Sequence, residues 1–301
     1  MSRRLAAGML ALLPVLLAAT PAAAHEATAR RGPDLWLLLA IGLPPALYTL
    51  GVTRLWRTAG IGRGARYGRV LCFALGWATC VIALASPLHA LADRAFFAHM
   101  LVHLLLMTVT APLLVLARPL APLAWAFPGG ARSWLLRPVL AAIRPLADPL
   151  VATGLQIAVL SVWHLPALFD LAVADRRVHT LQHLMLTASA LLFWWSMLER
   201  CRGGQREGVA AFCLFLTMLH GTLLGALLTV APHPWYGGVG MAAPVAGLAP
   251  LEDQQLGGLI MWVPGGLVYA AAALVLFAQW LHRAATAPVW MVMSHDEPTR
   301  G

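Results

Sequence analysis

The chain has 301 residues, 60% of them hydrophobic and 11% charged, with a mean hydropathy of +0.76. Soluble domains carry about 25% charged residues, so this composition excludes a water-soluble globule and indicates a polytopic membrane protein. The 21 basic residues, all arginine, outnumber 12 acidic ones to give +9, but they sit between apolar runs and read as topology determinants, not as a nucleic-acid surface.

Residues 1–24 read as a signal peptide. Arg3 and Arg4 precede an apolar run over 5–19, and Ala22-Ala23-Ala24 fits a small-residue cleavage site. Cleavage after Ala24 would make His25 the mature N-terminus, where amine and imidazole together can chelate a cupric ion; an uncleaved anchor is the alternative. The first span is expected over 35–53, kinked by Pro44-Pro45, and is followed by a basic loop carrying Arg54, Arg57, Arg63, Arg66 and Arg69. The second span, 70–85, ends before Pro87. A short outer loop with His89, Asp93 and Arg94 leads to the third span, 95–116. The connection that follows holds Arg118, Arg132, Arg137 and Arg144, is broken by several prolines, and has Trp125 and Trp134 in an interfacial, amphipathic stretch.

The fourth span, 149–165, ends in Trp163-His164-Leu165-Pro166. An outer loop with Asp170, Asp175, Arg176 and Arg177 precedes the fifth, 178–198. Glu199 to Arg206 forms an inner loop, and the sixth span, 208–230, carries Met218 and His220. A Pro- and Gly-rich outer loop follows over 231–250. Glu252 and Asp253 open the seventh span, 256–281, where acidic residues suit a helix N-terminus and Pro264-Gly265-Gly266 predicts a bend. Residues 35–282 thus form one membrane domain and 283–301 a cytoplasmic tail. Fourteen arginines fall on inner segments and five on outer ones, so seven spans with the mature N-terminus periplasmic and the C-terminus cytoplasmic satisfy the positive-inside rule. The fold expected is all-α: a polytopic membrane helix bundle of seven transmembrane helices after a signal peptide.

This topology sorts the histidines. His99 and His103 are four residues apart, about 40° in azimuth and roughly 6 Å on a helix, so they share one face. His179 and His183 repeat the spacing. With His164 and the deeper His220, the imidazoles of four helices gather in the outer half of the membrane, near Met218 and below Asp253. Met100, Met107, Met185, Met218 and Met261 lie in four of the seven spans. Ionisable residues within spans are costly and mark functional sites. Imidazole suits copper, zinc or haem iron, and thioether favours cuprous copper. The candidate metal ligands are therefore His99, His103, His164, His179, His183, His220, Met218 and Asp253. Cys72, Cys80, Cys201 and Cys213 form no C-x-x-C pair and read as small apolar filler.

His99-Met100-Leu101-Val102-His103, Trp163-His164-Leu165-Pro166, His179-Thr180-Leu181-Gln182-His183, Met218-Leu219-His220-Gly221 and Asp253-Gln254-Gln255-Leu256-Gly257-Gly258 resemble the membrane-embedded CtaG-type cytochrome c oxidase assembly factors over about residues 35–282. The resemblance implies a non-enzymatic protein of the bacterial plasma (inner) membrane that supports assembly of a haem–copper oxidase at a copper-handling step. Its implied partners are oxidase subunits, a periplasmic copper chaperone and the lipid bilayer. Two other readings remain open. A haem-binding electron carrier would need imidazoles on both faces of a porphyrin, which His103 and His183 could supply. An intramembrane metalloprotease would use His-Glu-x-x-His, and Met100 and Thr180 occupy the glutamate position of the two pairs.

Overall fold

The computed structural model describes residues 35–129, 141–201, 206–237 and 247–286. The expected signal peptide with His25, the stretch containing Arg132, Trp134 and Arg137, the middle of the 231–250 loop, and tail residues 287–301 lie outside the described residues.

The fold is an all-α membrane helix bundle, with no strand among the described residues. Helix α1 spans Leu35–Ala59, α2 Tyr67–Ala85, α3 Pro87–Ala92, α4 Phe96–Leu104, α5 Ala111–Ala117 and α6 Leu120–Trp125. Helices α7 (Pro149–Trp163), α8 (Pro166–Ala174), α9 (Arg176–Trp195), α10 (Arg206–Val230), α11 (Pro250–Ile260) and α12 (Gly266–Thr286) follow. A π turn over Leu105–Thr110 joins α4 to α5, and another over Met261–Gly265 joins α11 to α12. Among the described residues, five continuous helical stretches are long and apolar enough to cross a bilayer: Tyr67–Ala85, Phe96–Ala117, Arg176–Arg200, Arg206–Val230 and Pro250–Thr286. α7 and α8, bent by 71°, make a sixth if counted as one span. The expected first span is helical as α1, and the outer loop expected around Asp170 is instead the short helix α8.

At two prolines a tryptophan takes up the carbonyl that the proline leaves free. Pro45 has no N–H to donate to the carbonyl four residues back, and the Trp77 indole donates to that carbonyl, Ile41 O, at 2.9 Å. Pro112 follows the first π turn, where the register is five residues. The carbonyl it leaves unbonded is Met107 O, which accepts from the Trp194 indole at 2.8 Å. These bonds fasten α1 to α2 and the π turn to α9.

Small residues set the closest approach. A Cβ at Gly225 would lie 2.7 Å from Gly258 O, and one at Gly258 would lie 2.7 Å from Gly225 O, so α10 and α11 meet backbone to backbone. The stretch Phe96–Ala117 is the most buried span, 56% inside the protein, against 17% for Tyr67–Ala85, and forms the axis of the bundle. Its N-terminal end, the start of α9 and the end of α7 share one end of the bundle. The ion pairs Arg118–Glu199 and Arg283–Glu207 mark the opposite end. All four cysteines are free thiols, with Cys201 and Cys213 buried.

Candidate metal centre

Two capping devices set the histidine register. On α9, Asp175 accepts from the amides of Arg177 at 2.6 Å and Val178 at 3.3 Å, fixing the helix start. The buried stripe then runs through Gln182, His183, Leu186, Ser189, Ala190 and Phe193, with His179 one turn earlier. On α4 the residue before the helix, Ala95, has no side chain able to cap. The cap comes from α11: Asp253 Oδ2 accepts from Phe96 N at 2.7 Å and Oδ1 from Phe97 N at 2.8 Å.

The result is a buried triad. His99, His103 and His183 are 1%, 4% and 8% exposed, and one ligand atom from each lies within 4.8 Å of the others. Ring centroids are 4.4 Å apart for His99–His103, 5.1 Å for His103–His183 and 5.8 Å for His99–His183. Nε2 of His99, both ring nitrogens of His103 and Nε2 of His183 have no hydrogen-bond partner among the described residues. Phe169 packs edge-on against His99 at 5.0 Å, and with Phe96 and Tyr236 closes an aromatic layer over the triad. The Tyr236 hydroxyl donates to His164 O at 3.1 Å, tying the loop after α10 to the end of α7.

The other expected ligands are distributed around this triad. The His179 ring stacks on His99 at 5.2 Å and lies 4.5 Å from His183. On the far side of His103 is a cavity of about 50 Å³, also bordered by Met100, Met107, His164, Met218 and Met261. A water needs about 10–15 Å³ measured this way, so the cavity admits an ion with a few waters. His164 gives Nδ1–H to Leu160 O at 2.7 Å, and its Nε2 has no partner. Met218 therefore reaches the cavity, while Met185 is 37% exposed on the outer face. Of the five expected ligands outside the triad, two have hydrogen-bonded donor atoms elsewhere. His220 Nε2 bonds Ser161 Oγ at 2.9 Å, and both Asp253 oxygens are taken by backbone amides.

His89, read from the sequence as a loop residue, joins the cluster. Ser86 Oγ accepts from Leu88 N at 3.1 Å and Pro87 fills the first helical position, so α3 forms and turns His89 inward. Its ring is 5.7 Å from both His179 and His183. Burial lowers its pKa from the ordinary value, with Asp93 opposing the shift and Arg176 adding to it. The only sequence signal for this helix is the Ser86-Pro87 pair before Leu88, because six residues are too few to show a helical period.

The other polar residues at the head of α11 make packing contacts with neighbouring segments. Gln254 Oε1 accepts from Trp235 N at 2.6 Å and Gln255 Nε2 donates to Ala231 O at 3.2 Å, while Gly257 admits the Phe96 ring. A search of curated proteins and one of solved structures give no significant match. The model of the cytochrome c oxidase caa3 assembly factor family matches residues 46–283, which takes in α3, the triad, the cavity and the capping aspartate. The chain belongs to the cytochrome c oxidase caa3 assembly factor (CtaG) family.

Proposed function

We propose that this protein is a non-enzymatic, copper-handling assembly factor of the bacterial plasma membrane, holding cuprous copper at His99, His103 and His183 for a haem–copper oxidase. The observation that carries this reading is the set of ring nitrogens in the triad, Nε2 of His99 and His183 and both of His103, that lack a hydrogen-bond partner among the described residues. Leaving a buried polar group without a partner costs about 1–3 kcal/mol, so three such imidazoles with converging ligand atoms are poor packing residues and good ligands. Neutral imidazole suits copper, and the thioethers of Met100, Met107, Met218 and Met261 around the adjoining cavity favour the cuprous state. His164 and Met218 would act there as inner donors. The arginine asymmetry supports a periplasmic triad end, where a copper chaperone would supply the ion and oxidase subunits would receive it.

The haem reading has less support. The cavity beside His103, about 50 Å³, is far below the ~300 Å³ at the small end of organic-ligand pockets. Hydrolysis lacks a carboxylate within either histidine pair.

Metal analysis and an optical spectrum of the purified protein test the reading. Copper without a Soret band is expected. Cells lacking the protein should make oxidase polypeptides without oxidase activity, partly restored by added copper through mass action. His99→Ala with His103→Ala should reproduce the deletion while the protein still inserts. Stoichiometric haem lost with His103, or full oxidase activity in the double variant, would overturn the assignment.

A further inference from the structure

The triad is not an isolated group. Five imidazoles form one contiguous file: His89 stacks on His179 at 5.7 Å, His179 on His99 at 5.2 Å, and His99 meets His103 at 4.4 Å, with His183 beside all four. At the outer end Asp93 is 57% exposed, its Oδ1 lying 3.9 Å from His179 Nδ1. The inner end is the thioether-bordered cavity. A structural copper or zinc ion uses about four donors, so five rings and a carboxylate exceed what one ion can take. A purely supporting histidine would give its free N–H to a carbonyl or carboxylate. His89 Nδ1 and His179 Nε2 have no such partner among the described residues.

We propose that His89 and His179, beside Asp93, form a second metal-binding position at the mouth of the site, from which copper passes to the triad by exchange of imidazole ligands. The proposal rests on the copper reading above. A cuprous ion accepts the His89 and His179 imidazoles at the mouth, gains His183 or His99 as it moves inward, and releases His89 first and His179 after it. Its charge and oxidation state do not change. Asp93 offsets the positive charge where the ion leaves water, and His183, in ring contact with both His89 and His103, remains within reach throughout.

The test uses the full chain in detergent, with cuprous ion supplied from a chromogenic cuprous chelator. Bound copper and the rate of transfer are both read. Wild type should take up one tightly held ion and a second, weaker one. His89→Ala should lose the weaker ion and load the triad about tenfold more slowly, the low end of what loss of a neighbouring shell costs a metal site, with triad affinity unchanged. The triple variant of His99, His103 and His183 to Ala should keep the weaker ion. A second ion and a wild-type rate in His89→Ala would overturn the mouth position and leave the triad reading intact. Loss of all copper from His89→Ala at an unchanged thermal midpoint would make His89 a triad ligand and also overturn it. Wild-type protein that takes up no copper would sink both readings.

Discussion

The Asp253 carboxylate accepts the Phe96 amide at 2.7 Å, a bond between residues 157 positions apart in the chain. The amides at a helix start have no partners of their own and carry the positive end of the helix dipole. One buried carboxylate from α11 satisfies two of them and so sets the rotation and height of the helix that carries His99 and His103. Asp253→Ala should lower the thermal midpoint in detergent, since a lost cap costs about 0.5–2 kcal/mol. It should also weaken metal affinity by about 10–100-fold, as losses of supporting groups do, since both Asp253 oxygens already accept amides of the helix that carries the triad. Wild-type affinity in a destabilised variant would limit Asp253 to stability.

The triad should behave as a unit. His103→Ala and His183→Ala are each expected to lower metal stoichiometry, and the double variant should be little worse than either single, because groups sharing one ion are non-additive. His282→Ala, exposed at the opposite end of the bundle, is the control. Equal loss from all three, read by metal analysis of purified protein, would indicate general misfolding.

The contact between α10 and α11 leaves no room for a side chain. Gly225→Ala or Gly258→Ala should destabilise by about 1–3 kcal/mol, the usual cost of overpacking, because each new Cβ would sit 2.7 Å from the opposing carbonyl oxygen. Gly154→Ala meets nothing within 4 Å and should be neutral or slightly stabilising. Thermal unfolding in one detergent compares the three. Loss of copper in Gly258→Ala would follow from displacement of α11 and its Asp253 cap.

Orientation follows from charge. Fourteen inner arginines against five outer ones predict that reporters fused near His89, Asp170 and His233 lie in the periplasm, and those near Arg63, Arg118 and Arg200 in the cytoplasm. A cytoplasmic signal from the His233 loop would invert the triad end and break the proposed route from the periplasm.

The amino-acid sequence by itself determined that the chain is a helical membrane protein. Long apolar runs must bury their backbone polar groups internally, and in lipid a helix does so from local sequence alone. It also determined that His99 pairs with His103 and His179 with His183, because four-residue spacing fixes a shared helix face without reference to any neighbour. Tertiary structure decided which pairs meet. His183 joins His99 and His103, His220 turns instead to Ser161, and His89 enters the file on a six-residue helix too short to announce itself. It also decided the role of Asp253. A carboxylate beside histidines reads as a ligand in one dimension, but both of its oxygens are taken by amides 157 and 156 residues away. A hydrogen bond of that separation leaves no periodicity, spacing or composition in the chain, and only the packing of α11 against α4 creates it.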